Sequence, residues 1–365
     1  MLCSVLDLQQ LLSHVTEVGG SDLHVKAGSP PRVRVNGDLR PTPFSVVSPK
    51  DIEDVIRTML PTEKLEEFLK TGEADFSLSV ASLGRFRGNA FRQRGSGAMV
   101  LRRVLPAALS AVDLGLPPIV SRLAEELRGM VLVTGPTGSG KTTTLAAMID
   151  HINQTRAANI ITIEDPIEIL HPDKRSIVCQ REIGNDTRDY VQAMRRVLRQ
   201  DPDVILIGEM RDIETVSAAL TAAETGHLVL STLHTTNATE TINRIVDFFP
   251  PFQQHQVRMT LASVLRGVVS QRLVARADGE GRVPAIEAMV VTGTIADRII
   301  DPGPHNESIE DLIADGEYHG MQTFDQSLFH LYKSGLVTLR AALSAATNPH
   351  DFRLALQNAG LLGTA

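Results

Sequence analysis

The sequence predicts an α/β protein in which a large α/β domain follows a smaller N-terminal α+β domain. Three observations predict this fold class. Short apolar strands alternate with helical segments after residue 118, a glycine-rich loop follows the first of those strands, and Asn36-Gly37 forms the turn of a tight hairpin near the N-terminus. Single hydrophobic cores stop growing at roughly 250 to 300 residues, so a chain of 365 residues is expected to form two domains.

The N-terminal domain is predicted to cover residues 1–105. A leucine-rich face between residues 8 and 15 predicts a helix, and Ser48-Pro49 predicts the N-cap and first turn of a second helix. Three strands with short turns between them predict an antiparallel meander, at Asp75–Val80, Gly84–Arg92 and Ala98–Val104. We therefore expect a small sheet with helices on one side.

Residues 106–117 are predicted to form a linker, because Pro106, an alanine-rich stretch and the Gly-Leu-Pro run at 115–117 disfavour regular structure. The second domain then covers residues 118–365. Its predicted strands are Val131–Thr134, Ile160–Glu164, Asp203–Ile207, Leu228–Thr232 and Pro284–Val291. The remainder is predicted to be helical, with a break at Pro302-Gly303-Pro304. Alternating strands and helices predict a mostly parallel sheet that is covered on both faces.

Composition argues against several classes of protein. Apolar runs are far shorter than the roughly 20 residues of a membrane-spanning helix, and the N-terminus lacks the features of a secretory signal, so a cytoplasmic protein is expected. Two cysteines, Cys3 and Cys179, cannot form a four-thiolate zinc site and are expected to be packing thiols. The net charge of -7 and the absence of tryptophan disfavour nucleic acid as a ligand.

The most specific motif is a P-loop that leads into a helix. Its glycines let backbone N–H groups surround phosphates, Lys141 would reach the β and γ phosphates, and the Thr142 hydroxyl would ligate Mg²⁺. The alternative is a glycine-rich turn that binds nothing, but the strand-loop-helix context favours ATP or GTP binding. The predicted binding residues are Gly135, Pro136, Thr137, Gly138, Ser139, Gly140, Lys141, Thr142 and Thr143.

Carboxylates follow two apolar strands of the second domain. One strand ends in Gly208-Glu209, and Glu209 is expected to hold the metal through water because the usual aspartate position is a glycine. Another ends in Glu164, which we predict to be the base that positions the attacking water, since open α/β sheets bind ligands at the C-terminal ends of their strands. Asp165 and Glu168 are equally well explained as residues that cap loops.

Histidines and arginines supply further candidates. His234 ends a strand that is predicted to neighbour the P-loop strand, and we expect it to sense the γ phosphate. His227, at the start of the same strand, is equally well explained as a structural residue. The arginines in the N-terminal strands are explained either as a charged surface or as groups that reach a neighbouring γ phosphate. They are Arg85, Arg87, Arg92, Arg94, Arg102 and Arg103.

Several segments together resemble the secretion and pilus ATPases. The run Leu198–Asp212 is similar to the hallmark segment of that family. Further segments resemble the type IV pilus retraction ATPases, namely Ser21–Val25, Gly28–Arg32, Ile163–Glu168 and Gly320–Gln326. The resemblance extends from about residue 5 to the C-terminus. It implies a PAS-like N-terminal domain joined to a RecA-like ATPase domain, assembled as a homohexamer that hydrolyses ATP with Mg²⁺.

The resemblance also implies roles for individual residues. Lys141 and Thr142 match the phosphate and metal groups, and Arg87 and Arg102 match two sensing arginines that lie fifteen residues apart. The acidic-box glutamate, the Walker B glutamate and the histidine box correspond to Glu164, Glu209, His227 and His234. Such a motor would drive twitching motility from the inner face of the cell membrane, acting on an inner-membrane platform protein.

One segment departs from the pattern of retraction motors. Those motors carry the helix Ala-Ile-Arg-Asn-Leu-Ile-Arg-Glu, whereas this chain has Thr-Ile-Ala-Asp-Arg-Ile-Ile-Asp at 294–301. Extension motors usually have an additional N-terminal domain and a four-cysteine zinc site, so the short N-terminus and the two cysteines favour retraction. The alternatives are a pilus extension or type II secretion assembly ATPase, a nucleotide-gated scaffold, and a nucleic-acid translocase.

Overall fold

The computed structural model describes residues 6–104, 108–303 and 307–362, and it divides the chain into two compact units. The first unit comprises Met1–Ala107 together with Glu168–Leu170, and the second comprises Ala108–Ile167 and His171–Ala365. The sequence had placed its linker at 106–117.

The first unit is built on a six-stranded antiparallel sheet with the order β3-β2-β1-β6-β5-β4. Its elements are α1 (Leu8–Glu17), β1 (Asp22–Lys26), β2 (Arg32–Val35), β3 (Asp38–Pro41), α2 (Pro49–Met59), α3 (Thr62–Thr71), β4 (Glu73–Val80), β5 (Gly84–Gln93) and β6 (Ser96–Arg103). The predicted meander is therefore confirmed as β4-β5-β6, and the predicted hairpin as β2-β3. Its turn uses Asn36 and Gly37, both with positive φ, as tight hairpin turns require.

Local sequence explains where the first helices begin. The Asp7 carboxylate accepts hydrogen bonds from two backbone N–H groups at the start of α1. Ser48 and Asp51 form a reciprocal capping box at the start of α2, with Pro49 in the first turn. The apolar faces of these helices bury Leu12 and Ile56 in a core shared with the sheet.

The second unit is built on a seven-stranded sheet with the order β13-β12-β7-β11-β10-β8-β9. Its strands are β7 (Gly129–Thr134), β8 (Asn159–Glu164), β9 (Ile177–Glu182), β10 (Val204–Ile207), β11 (Leu228–Leu233), β12 (Leu265–Ala275) and β13 (Arg282–Val290). All neighbours are parallel except β12 and β13, which confirms the prediction of a mostly parallel sheet. Strand β7 lies between β11 and β12, so the loop that follows β7 leaves from an interior strand of the sheet.

Helices accompany the strands of the second unit, and a helical segment follows β13 as predicted. The helices are α4 (Pro118–Ala124), α5 (Lys141–Thr155), α6 (Tyr190–Val197), α7 (Ile213–Glu224), α8 (Ala238–Asp247), α9 (Pro251–Val264), α10 (Gly293–Ile300), α11 (Ile309–Ala314), α12 (Phe324–Lys333), α13 (Leu339–Ala345) and α14 (Pro349–Asn358). Among the described residues, no helix combines the length and apolarity needed to cross a membrane. Features predicted at Cys3, Pro106 and Pro304 lie outside the described residues. Cys179 was predicted to be a packing thiol, but it is exposed on the edge strand β9.

The core of the second unit lies on both faces of its sheet. Ile205 and Ile207 of β10 pack in one apolar cluster, whereas Val204 and Leu206 pack in a second cluster with Ile149 of α5. Successive side chains of a strand point to opposite faces, so an apolar run without alternation is what a strand covered on both sides requires. This packing holds the C-terminal ends of the parallel strands along one edge, where the polar residues of the site follow.

Candidate nucleotide site

The loop after β7 has a backbone that only glycine adopts without strain. Gly135, Gly138 and Gly140 have φ values of 140°, 78° and 93°. A Cβ on Gly135 would lie 2.4 Å from the carbonyl oxygen of Gln271, and a Cβ on Gly140 would lie 2.6 Å from its Nε2. These contacts are closer than any real Cβ makes, so the glycines let the loop approach β12 directly.

Lys141 lies at the centre of this loop, 9% exposed. Its ammonium donates to the carbonyl oxygens of Gly135 at 2.8 Å and Pro136 at 3.1 Å, so it curls beneath the loop. Burial lowers the pKa of Lys141, and the negative charge of Glu209 opposes that shift. The Lys141 ammonium and the Glu209 carboxylate are therefore close enough to interact electrostatically.

The groups around Lys141 are suited to bind phosphate. Helix α5 begins at Lys141, and the N–H groups in its first turn have no partners within the helix, which makes this terminus attractive to anions. The hydroxyl of Ser139 is buried and has no hydrogen-bond partner among the described residues. The Thr142 side chain is exposed on the same turn. These donors fit a phosphate group held above the loop.

A cavity of about 340 Å³ adjoins the same helix. Leu114, Leu116 and Leu273 supply apolar walls, and Asp113 and Arg282 supply charged groups. Gln271 borders both the cavity and the loop, and its Oε1 accepts a hydrogen bond from Thr144 at 2.7 Å. The cavity therefore combines apolar and polar lining beside the phosphate loop, as a nucleoside site requires.

Glu164 ends β8 at the edge of the sheet where the P-loop lies. Its Oε1 accepts hydrogen bonds from the Thr162 hydroxyl at 2.6 Å and from the Gln180 amide at 3.1 Å. Thr162 is 1% exposed, and Gln180 is held in turn because its Oε1 accepts from the backbone N–H of His171 at 2.8 Å. Two anchored donors therefore orient this carboxylate.

Glu209 follows β10, the next strand but one from β7. Its carboxylate is paired with the Arg211 guanidinium, and the Nε2 atom of His234 lies 3.5 Å from its Oε2. His234 follows β11, which lies between β10 and β7. The structure thus brings together the predicted residues Lys141, Glu209 and His234.

Comparison with known proteins assigns the chain to a family. The family model described as Type II/IV secretion system protein matches residues 5–302. The chain belongs to this family. Several relatives match this chain over most of its length.

Three relatives illustrate the likeness. The type IV pilus retractation ATPase PilT of Pseudomonas aeruginosa is 44% identical over 348 residues, which is 95% of this chain and 100% of that protein. The twitching motility protein of Neisseria gonorrhoeae is 44% identical, over 87% of this chain and 84% of that protein. The crystal structure of the pilus retraction motor PilT with bound ADP superposes with a TM-score of 0.85 at 45% identity, covering 95% of this chain and 98% of that one. The mixed α/β fold with two sheets is thereby confirmed.

In this member of the Type II/IV secretion system family, a residue that the sequence analysis missed fills the space beside Gly208. A Cβ on Gly208 would lie 2.9 Å from the phenol oxygen of Tyr190, 3.3 Å from the Ile163 carbonyl oxygen and 3.5 Å from Glu164 Cα. Burial raises the pKa of Tyr190, and the negative charges of Asp165, Glu209 and Glu164 raise it further. Tyr190 belongs to no motif, and the only indication of its position in the sequence is the glycine at 208, where an aspartate is usual.

His227, the other histidine that was predicted as a site residue, lies away from the P-loop within this chain. His227 precedes β11, whereas the P-loop follows β7, and the two strands are parallel. About six residues of extended chain, roughly 20 Å, therefore separate His227 from His234. The His227 ring bonds locally, with its Nδ1 2.9 Å from the Ala222 carbonyl oxygen. The structure does not bring His227 to the site of its own chain.

The two predicted sensing arginines lie side by side in the first unit. Arg87 of β5 and Arg102 of β6 are directly opposite each other in the sheet, so both side chains point to the same face. The Nε of Arg102 lies 2.7 Å from Oδ1 of the buried Asp22, and Nη1 of Arg87 lies 3.7 Å from Oε1 of Glu168. Each of the two guanidinium groups therefore has an acidic partner.

Proposed function

We propose that the chain is an ATP-hydrolysing hexameric motor that drives type IV pilus retraction and thereby twitching motility. The observation that carries this proposal is the joint placement of Lys141, Glu164 and Glu209 at one edge of the parallel sheet. Similarity over nearly the whole chain to PilT supports the retraction role. A scaffold that only bound nucleotide would not need the two carboxylates.

The P-loop residues hold the phosphates of ATP. Lys141 exchanges its contacts with loop carbonyls for the β and γ phosphates, and Ser139 and the N–H groups at the start of α5 donate to the same oxygens. The adjoining cavity receives the nucleoside, with Gln271 at the junction. Residues 135–143 thus act together as one cradle.

Thr142 and Glu209 would hold Mg²⁺, the glutamate through water. Mg²⁺ held by these residues would supply positive charge beside the β and γ phosphates. Within the described residues there is no cluster of three or more His, Cys, Asp and Glu that would hold a metal by itself. Such a sparse protein contribution suits Mg²⁺, which keeps several waters and takes further ligands from the substrate phosphates.

Glu164 accepts a proton from the attacking water. The donors Thr162 and Gln180 hold its carboxylate in one orientation, which is what a general base requires. His234 senses the γ phosphate through its position beside Glu209. Arg87 and Arg102 supply positive charge to a neighbouring γ phosphate, a contribution commonly worth 10³ or more in rate.

We assign residues 1–105 to a PAS-like domain, 106–117 to a linker and 118–365 to a RecA-like ATPase domain. Six chains form a ring with nucleotide near the subunit boundaries, and His227 acts in this assembly as part of the histidine box. The ring acts on an inner-membrane platform protein from the cytoplasmic face of the membrane. These assignments rest on the family resemblance and on the similarity to PilT.

A gene deletion tests the proposal in the cell. If the motor retracts pili, deletion should leave an excess of pili that no longer move, and twitching should stop. Complementation with Lys141→Ala should fail, whereas the wild-type gene should restore twitching. Absent pili after deletion would identify an extension motor instead, and unchanged pili and twitching would refute both.

A further inference from the structure

Buried polar side chains cross the sheet of the second unit at the level where the P-loop begins. We propose that Glu287 is a positioning residue of the ATPase site, which fixes the segment that carries His234 and joins it to the P-loop strand. This inference rests on the proposed function, because it concerns how the residues of that site are held. Glu287 lies in β13, outside every motif that the sequence analysis used.

Three buried polar residues form a row across β7, β12 and β13. Thr134, the residue before the P-loop, is paired with Ser270, and Ser270 is paired with Glu287. Partners in neighbouring strands point their side chains to the same face of a sheet, so the three side chains are adjacent. The Thr134 hydroxyl donates to the Ser270 oxygen at 3.0 Å, which leaves the Ser270 proton for an acceptor on its other side. Glu287 is the residue at that position.

The carboxylate of Glu287 also holds the start of α8. Its Oε1 accepts a hydrogen bond from the backbone N–H of Ala238, the first residue of α8, at 2.8 Å. Asn237 already supplies the ordinary cap by accepting from the Glu240 N–H at 2.8 Å, so Glu287 fixes where the helix lies against the sheet rather than whether it begins. Burial raises the pKa of Glu287, and hydrogen bonds from the Ala238 N–H and the Ser270 hydroxyl oppose that shift.

The loop that precedes α8 is tied to the first turn of the helix. Glu240 accepts hydrogen bonds from both the N–H and the hydroxyl of Thr236, at 2.7 and 2.6 Å. The hydroxyl oxygens of Thr235 and Thr241 are hydrogen-bonded at 2.6 Å. Residues 235–237 are therefore expected to move with the helix.

This loop connects Glu287 to the active site. His234 directly precedes the loop, and the Nε2 atom of His234 lies 3.5 Å from Oε2 of Glu209. The position of α8 against β13 therefore sets where the His234 ring meets that carboxylate. At the other end of the row, Thr134 leads directly into the P-loop at Gly135. Glu287 thus joins the two segments that meet the γ phosphate in the proposed mechanism.

Glu287→Met tests this role, because methionine has a similar length but no oxygen to accept from the start of α8. Misplacement of a catalytic group by about 1 Å can cost about 100-fold in rate, so we expect kcat of the full-length protein to fall by about 10- to 100-fold. The dissociation constant of ADP, measured by calorimetry, should change little. Glu287→Gln keeps an oxygen for the Ala238 N–H and should restore most of the rate. Asp325→Leu is the matched control, because Asp325 also accepts a backbone N–H from a distant segment, that of Thr347 at 2.7 Å.

A double-mutant cycle separates positioning from a general loss of structure. If Glu287 acts through His234, Glu287→Met should add little further loss of kcat when His234 is already alanine. Equal fractional losses in the two backgrounds would overturn the proposed route. Ser270→Ala removes a single hydroxyl from the row and should lower kcat by less than Glu287→Met, again only when His234 is present. The cycle with Ser270→Ala decides the question if Glu287→Met does not fold.

The outcomes distinguish this inference from the function on which it rests. Unchanged kcat in Glu287→Met, or in Ser270→Ala where that variant replaces it, would overturn the positioning role and leave the ATPase assignment intact. A loss of ADP binding, or a fall in kcat that Asp325→Leu shares, would also overturn it, because the effect would then be structural. Equal kcat in Glu287→Gln and Glu287→Met would overturn the role of the hydrogen bond to Ala238. Absence of turnover in the wild type would overturn the proposed function itself.

Discussion

Replacement of His171 by glutamine should make the second unit more resistant to acid. His171 lies in the segment that connects β8 to β9, and its Nδ1 is buried without a hydrogen-bond partner among the described residues. Burial lowers the pKa of His171 from 6.5 to about 4, and Lys174 lowers it while Asp150 opposes the shift. The folded protein therefore keeps this imidazole neutral under conditions in which the unfolded chain protonates it.

The sign and size of the effect follow from these two values. Between pH 6.5 and about 4 the unfolded chain binds more protons at this residue than the folded protein, so stability falls as the pH falls. At pH 5 the difference amounts to about 2 kcal/mol of the free energy of unfolding. Glutamine cannot take a proton, so His171→Gln should lose about 2 kcal/mol less than the wild type between pH 7.5 and pH 5.

Urea denaturation at the two pH values measures this difference. Because the chain has no tryptophan, far-UV circular dichroism is the suitable probe. His255→Gln, on the exposed side of α9, is the comparison for the removal of an imidazole from the same unit. If the wild type and His171→Gln lost equal stability on acidification, the ring would have to be solvated or charged in the folded state, and the reasoning would fail.

Three further predictions concern turnover. Lys141→Ala should abolish Mg²⁺-dependent ATP hydrolysis in a phosphate-release assay, and normal turnover would refute the P-loop assignment. Glu164→Gln should retain ATP binding and lose about 10²- to 10⁴-fold in kcat, since the amide keeps the shape but cannot accept a proton; the exposed Glu214→Gln is its control, and an equal kcat in both would remove Glu164 as the base. Arg87→Ala and Arg102→Ala should each lower kcat by roughly 10³ while circular dichroism still shows a folded protein. If both variants hydrolysed ATP at the wild-type rate, Arg87 and Arg102 would be explained as part of a charged surface instead.

The strands around the P-loop could be predicted because burial on both faces makes them continuously apolar. Strand β12 could not, because it follows α9 without a break and carries Arg266, Gln271 and Arg272. Gln271 and Arg272 bind residues that are distant in the sequence. Gln271 accepts a hydrogen bond from the P-loop helix, and Arg272 donates one to the Ala345 carbonyl oxygen. Strand β9 escaped prediction because it is the edge of the sheet, where one side is solvated and polar residues are common.

In the site, too, residues within one short segment could be predicted, whereas contacts between distant segments could not. The P-loop and the carboxylates at strand ends could be predicted, because each motif lies within one short segment. Gln180 and Tyr190 could not, because they come from other segments and meet Glu164 and Gly208 only in the fold. The placement of His227 was within reach of the sequence, since in a parallel sheet the start of a strand lies opposite the ligand-binding end.

The crowded space at Gly208 also limits how this site can change over generations. A side chain at position 208 would require the Tyr190 ring to shift or residue 190 to change, because a Cβ at 208 would lie 2.9 Å from the phenol oxygen. Substitutions at 190 and 208 are therefore expected to be coupled, because the residue at each position limits the size of the side chain at the other.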